Sequence, residues 1–278
     1  MSVFRFKQFS VDSGRCAMKV GTDAVILGAA FTLPSAAEAA APGGRACRHS
    51  RDEAPRTPEA FGRTDGIRVL DAGCGSGVIA LMAAQRLEAA CFRDYSITGV
   101  EIDAPASEEA RKNFAASPWS GHLRCMNADL LSFAPETGYD IIVSNPPYYD
   151  ESLPSPDSRR STARHCGGEA FSYAQLLAFA AGHLRAGGTL ALILPHQEQV
   201  RLLRTAASYG LRASRLLHIR PTPAKEPSRL VAEFAREAER RNSAAEESYL
   251  TLQDAGSCAH NKNSRTDEYV ALTREFYL

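Results

Sequence analysis

From Gly66 onward short apolar runs alternate with helix-like stretches, and that alternation leaves few folds open to the chain. Ile67–Asp71, Ser96–Glu101, His122–Met126, Tyr139–Ser144 and Thr189–Leu194 read as buried strands. Helices are predicted over about Val78–Ala90, from Pro105 to Ser117, over Ser172–Arg185, and after Pro195 to Ser208. Gly187-Gly188 is expected to stop the third of these helices. Strands alternating with helices imply a doubly wound parallel sheet. Arg212–Arg220 and Ser228–Ala235 then read as an antiparallel pair, followed by a short strand near Tyr249–Leu252 and a terminal helix over about Thr266–Phe276.

The fourth strand is forced to stop. Tyr139-Asp-Ile-Ile-Val-Ser144 runs into Asn145-Pro-Pro-Tyr148. Two prolines cannot continue a sheet ladder, and each restricts the residue before it to extended backbone. The stiff turn presents the Asn145 carboxamide and the Pro146 carbonyl at the C-terminal edge of the sheet, with the Tyr148 ring beside them. Open α/β sheets bind their ligands at that edge. Two acceptors suit an –NH2 group with two donors, either an exocyclic amine or an amide nitrogen.

The first strand ends in Asp71-Ala-Gly73-Cys-Gly75-Ser-Gly77, and a helix follows. Alternate glycines let the backbone turn tightly and approach a ligand. Glu101 ends the second strand, where a carboxylate reaches ribose hydroxyls, and Asp129 ends the third, where one accepts from an adenine amine. Asp71 would sit near an ammonium group. A ribose, an adenine and a positive charge together describe S-adenosylmethionine. Neither the G-x-G-x-x-G spacing for pyrophosphate nor a Lys-Ser/Thr for a triphosphate is present.

Lys+Arg and Asp+Glu both total 32, so any polyanion must be met by local clusters. Arg201, Arg204, Arg212, Arg215, Arg220, Lys225 and Arg229 form a basic run against Glu226, while Arg159, Arg160, Arg164 and His165 follow the proline turn, and Lys7 and Lys19 lie near the N-terminus. Each is a candidate phosphate contact or ordinary surface charge. Seven scattered cysteines without a C-x-x-C suggest reduced thiols and no metal site. No signal peptide or membrane span is expected, which points to a soluble, cytoplasmic protein. Residues 1–34 read as a cover that continues into a helix over Val25–Leu33, capped by Thr22 or Asp23, and 35–66 read as an exposed insertion before a domain over 67–278.

The chain resembles the bacterial tRNA (adenine-N6) methyltransferases that modify valine tRNA beside the anticodon. The resemblance is carried by Phe6-Lys-Gln-Phe9, Ala17-Met-Lys-Val-Gly-Thr-Asp-Ala24 with Leu27-Gly28, Asp71-x-Gly-x-Gly-x-Gly77 and Ala83-Ala-Gln85. It continues through Asn113 with Ser117-Pro-Trp119, Ser144-Asn-Pro-Pro-Tyr148, Ala163-Arg-His165, and Leu272-Thr with Phe276-Tyr-Leu278. It implies a Rossmann-like class I methyltransferase fold, a mostly parallel seven-stranded sheet with an antiparallel strand near the C-terminus. It also implies S-adenosylmethionine as cofactor and tRNA as partner. Asp71, Gly73, Gly75, Gly77, Glu101 and Asp129 would hold the cofactor, with Thr22 of the covering segment counted among them. Asn145, Pro146 and Tyr148 would hold the target amine, and Lys7, Lys19, Arg164, His165 and Arg220 the RNA. The insertions at 35–66, 237–246 and 254–265 depart from the family pattern. A glutamine-amide methyltransferase of the release-factor-modifying type shares the Asn-Pro-Pro-Tyr chemistry, but its relatives carry a helical domain before the glycine loop. A binding module that merely retains the fold is the third reading.

Overall fold

The computed structural model describes residues 3–16, 18–34, 66–146, 172–239, 243–254 and 264–277. The insertion at 35–65, Pro147 and Tyr148, and the polar loop with Arg159, Arg160, Arg164 and His165 lie outside the described residues.

A small hairpin opens the chain, β1 (Val3–Arg5) against β2 (Ser10–Asp12), and α1 (Thr22–Ala30) comes next. The main unit then runs β3 (Ile67–Ala72), α2 (Val78–Ala89), β4 (Tyr95–Glu101), α3 (Ala104–Ala115), β5 (Leu123–Asn127) and β6 (Tyr139–Ser144). It continues with α4 (Tyr173–His183), β7 (Leu184–Pro195), α5 (Gln199–Ser208), β8 (Leu211–Arg220), β9 (Arg229–Arg236), β10 (Glu246–Thr251) and α6 (Asp267–Thr273).

The sheet has eight strands in the order β10-β8-β9-β7-β6-β3-β4-β5, as many as the sequence predicts and one more than the resemblance implies. β3 to β7 are mutually parallel, β9 is antiparallel to both β7 and β8, and β10 adds parallel to β8. The extra strand is the short Tyr249–Leu252 run, which joins the edge. There only Leu250 is buried, so the strand carries no long apolar signature.

Three layers result. Alternate strand residues point to opposite faces: Ile141 and Val143 join one apolar cluster with α1, α2 and α3, while Ile142 joins the other with α4 and α5. The N-terminal segment is part of the first cluster through Phe6, Phe9 and Val11. Phe6 stacks on Phe9 at 4.5 Å and on Tyr277 at 6.2 Å, so the two ends of the chain meet in one aromatic patch.

Two boundaries differ from expectation for local reasons. α1 starts at Thr22 with Gly21 as its N-cap, so neither Thr22 nor Asp23 caps it, and it ends three residues before Leu33, where Phe31 turns extended. Asp23 instead accepts a hydrogen bond from Arg229 Nε at 2.8 Å. Gly187-Gly188 do not end a helix. α4 stops at His183, and the glycines lie in a bulge of β7, where Leu184–Thr189 oppose only Tyr139–Ile141 on β6 and Gly187 takes φ +69°.

Candidate active site

Five parallel strands end on one edge, and the turns leaving four of them, β3 to β6, build the site. After β3 the chain turns through the glycines. Gly73 and Gly75 have φ of +70° and +53°, and a β-carbon on either would meet nothing within 4 Å. The conformation requires glycine, and the space in front of both is open. Gly77 (φ +80°) is different: its β-carbon would fall 2.3 Å from the Phe114 ring. That glycine lets α3 pack against the loop.

The loop is tied down on all sides. Gly73 and Cys74 amides both donate to the Val100 carbonyl, at 2.8 and 3.1 Å, and the Gly75 amide donates to Glu101 Oε2 at 2.8 Å. The other oxygen of Glu101 accepts from the Asp103 amide at 2.9 Å. Burial raises the Glu101 pKa, and the two amides oppose that. Gly77 offers no side chain to cap α2, so Asp71 substitutes: its Oδ2 accepts from the Ala80 amide at 3.0 Å. Asp71 Oδ1 is fully buried and has no hydrogen-bond partner among the described residues. Burial pushes this carboxyl up to about 7, with the Ala80 amide pulling the other way. An unpaired buried carboxylate oxygen fits a cationic donor such as an ammonium group.

Asp129 lies two residues past β5, exposed, with Oδ1 accepting from the Leu131 amide at 3.0 Å. Asn127, which sequence reasoning missed, donates from Nδ2 to the carbonyls of Glu101 and Ile102 and so joins the two turns. Ile102 and Leu131 on those turns are 63% and 50% exposed. Two solvent-facing aliphatic chains beside two carboxylates make a wall suited to a flat, polar-edged ring. An exposed apolar residue close after each acid was the available signal.

β6 is registered on β3 with Val143 opposite Asp71, and the buried Ser144 donates from Oγ to the Ala72 carbonyl at 2.7 Å. This bond locks the end of β6 to the start of the glycine turn. Asn145, half-buried, and Pro146, buried, are therefore the next residues at the strand end adjoining Asp71. Pro147 and Tyr148 lie outside the described residues.

The N-terminal segment reaches the same place by a tether that also escaped sequence reasoning. Asn113 Oδ1 accepts from the Asp12 amide at 3.0 Å, and its Nδ2 donates to the carbonyls of Asp12 and Ser76, at 2.8 and 2.9 Å. Four residues earlier on α3, Glu109 accepts from the Arg15 amide and from Cys16 Sγ. Burial, with Glu109 beside it, pushes the Cys16 thiol up. Positions 109 and 113 share one helix face, the only sequence signal for this contact.

The described candidate RNA residues are engaged in different places. Lys19 spends its ammonium on the Ser13 and Gly14 carbonyls, which folds the turn before α1. Lys7 donates to the Arg274 carbonyl. Thr22 is exposed at the first turn of α1 and lines a groove with Lys7. Arg220 lies over the Tyr249 ring at 4.3 Å. Three members of the basic run around it are paired with acids: Arg212 with Glu237, Arg215 with Glu233 and Arg229 with Asp23. Arg164 and His165 are outside the described residues. Among the described residues no group of His, Cys, Asp or Glu is arranged to hold a metal, and no helix is long and apolar enough to cross a membrane.

The strand order and the glycine turn flanked by strand-end acids define a class of enzyme fold. A family model described as Methyltransferase small domain matches residues 59–208. The chain path is similar to that of a predicted O-methyltransferase from Agrobacterium tumefaciens, with TM-score 0.57 at 17% identity over 91% of this chain and 96% of that one. At that identity the likeness speaks for the fold alone, a Rossmann-like class I methyltransferase. A tRNA1(Val) (adenine(37)-N6)-methyltransferase from Phocaeicola vulgatus is 35% identical over 275 residues, covering 99% of this chain and 97% of its own length. One of the same name from Photobacterium profundum is 34% identical over 278 residues, covering 99% and 98%. The chain belongs to the tRNA1(Val) (adenine(37)-N6)-methyltransferase family.

Proposed function

We infer that this protein methylates the exocyclic N6 amine of an adenine in tRNA, with S-adenosylmethionine as donor. The adenine would be position 37 of a valine tRNA, as in the names of its relatives. The observation that carries the reading is the Ser144–Ala72 hydrogen bond, which sets Asn145 beside the turn that starts at Gly73.

The residues divide the work. Asp71, with its unpaired oxygen, would face the ammonium group of the donor, and Gly73 and Gly75 leave open space for it. Gly77 holds the turn in place against Phe114. Glu101 would take the ribose hydroxyls with the lone pairs left over from Gly75 and Asp103, Asp129 the adenine amine, and Ile102 and Leu131 the ring faces. Thr22 would close over the donor from the covering segment. When bound, the donor supplies an electrophilic methyl on a positively charged sulfur.

The target amine is a poor nucleophile because its lone pair is delocalised into the ring. The Asn145 side-chain oxygen and the Pro146 carbonyl would each accept one of its N–H groups and turn the lone pair out of the ring. Tyr148 would stack on the base, worth roughly 1–3 kcal/mol. The methylated nitrogen is strongly acidic before it loses its proton, so no strong general base is needed. Positioning and fixed acceptors suffice.

Asn145→Ala tests this. Methyl transfer to tRNA is expected to fall by about 10²–10³-fold, as for loss of a preorganised polar partner, with donor binding retained. Wild-type turnover by the variant would sink the mechanism. A release-factor glutamine as acceptor is separated by offering both substrates together with labelled donor. Label on the protein and none on RNA overturns the tRNA reading.

A further inference from the structure

A groove of about 810 Å3 runs between β1, the entrance to α1 and the C-terminal helix α6. Among its described lining residues are four cations, Arg5, Lys7, Arg265 and Arg274, and no acid. Among the described residues Arg5, Lys7 and Arg265 make no ion pair, and Arg274 meets only its exposed neighbour Glu275. Elsewhere some arginines meet carboxylates brought from far along the chain, as Arg229 meets Asp23 and Arg215 meets Glu233. The groove thus concentrates positive charge in a chain of zero net charge.

The same groove exposes flat and apolar surface. Phe4 is 36% exposed, 6.0 Å from the Tyr277 ring, and Val270 is 50% exposed. Arg265 lies over the Tyr269 ring at 4.9 Å. Cations interleaved with ring faces fit an alternation of phosphates and unstacked bases. An acidic peptide would satisfy the cations and leave the rings without a partner.

The groove is tied by two contacts to the edge where the strands end. Its wall at Thr22 adjoins Asp23, whose partner Arg229 stands opposite Pro195 at the end of β7. Arg265 is bridged to Gln253, just past the end of β10 on the same edge.

We propose that this groove is a second anchoring surface for the substrate RNA, holding a single-stranded stretch beside the base presented to Asn145. The proposal rests on the tRNA reading of the active site. It assigns Arg5, Arg265 and Arg274 to phosphates and Phe4 to a base.

The test uses the full chain and an unmodified valine tRNA transcript. Binding is measured for wild type, for the double variant Arg5→Glu/Arg265→Glu and for Phe4→Ala, over a series of salt concentrations. Donor binding and melting temperature are recorded in parallel. The double variant is expected to bind the transcript about tenfold or more weakly, with the log–log salt dependence shallower by about 0.7 for each phosphate no longer neutralised. Phe4→Ala is expected to weaken binding about tenfold with the salt slope unchanged, as removal of a stacking ring predicts. Donor affinity and melting temperature stay at wild-type values in both. RNA affinity and salt slope at wild-type values in the double variant overturn the groove and leave the tRNA reading standing. A wild type that neither binds nor methylates the transcript overturns both. Stronger binding of an oligoglutamate peptide than of RNA, abolished in the double variant, replaces RNA with an acidic protein partner.

Discussion

The strand-end site and the groove at the chain ends are built in opposite ways. Along the ends of β3, β4 and β6 the polar groups are spent on one another: Ser144 on Ala72, Glu101 on Gly75 and Asp103, Asp71 on Ala80. Across the meeting of the chain ends, Arg5, Lys7 and Arg265 make no ion pair with a carboxylate among the described residues. Where a small donor and one amine must be held to a fraction of an ångström, hydrogen bonds within the protein fix the geometry. Where a flexible polyanion would arrive, the charge is left for it. Asp71 Oδ1 is the exception at the strand ends, one buried acceptor kept unpaired at the place assigned to a cation.

The largest expected effect comes from that exception. The Asp71 carboxyl is raised from 3.8 to about 7 in the fold. Its protonated form is thus favoured by folding. Ligand-free stability attributable to this group is full below pH 3.8 and is lost as pH rises through about 7. The loss is on the order of 4 kcal/mol at most. Melting temperature without donor should therefore rise as pH is lowered from 8 to 5, and Asp71→Asn should flatten that slope. Donor binding near neutral pH should release a proton, seen as a heat that varies with the ionisation enthalpy of the buffer. A wild-type slope in Asp71→Asn would show that another group titrates.

Next in size is Ser144→Ala. It strands the Ala72 carbonyl at the strand end, which costs about 1–3 kcal/mol of stability. Because Asn145 hangs from this lock, the rate of transfer should fall by more than donor affinity does. Equal losses in both would mean that the bond serves the glycine turn alone. Asn113→Ala removes the tether between Asp12 and Ser76, with about 1–2 kcal/mol expected from the missing hydrogen bonds, and should raise the KM for the donor. Amide exchange at residues 10–16 would quicken in the same variant. The smallest effect belongs to Arg212→Ala. Its pair with Glu237 is exposed on both sides, and such pairs contribute about 0–1 kcal/mol. A larger change there would mean that the basic run matters after all.

The same contrast explains what could be seen in advance. β6 was legible to the residue, because a strand buried on both faces and cut by two prolines is a local statement. The glycine turn and the acids at the strand ends were legible for the same reason. The Asp23–Arg229 and Arg215–Glu233 pairs were not, because the basic run looks uncompensated until acids from other strands and from α1 arrive. Lys19 looked like a phosphate contact and serves the backbone of its own turn, a partnership that leaves no mark on residue type. Gly187 looked like a helix stop and proved a bulge, since left-handed backbone is needed equally in either place. The groove itself joins residue 5 to residue 274, and nothing in the chain order announces that.

The identity of the atom that receives the methyl group is the most direct test of this mechanism. The protein is incubated with isotope-labelled S-adenosylmethionine and an unmodified valine tRNA transcript, the RNA is digested to nucleosides, and the products are resolved by mass. The expected product is labelled N6-methyladenosine, at most one per transcript, placed at the adenine beside the anticodon. Label on another base or on a protein glutamine, with none on adenine N6, would contradict the mechanism.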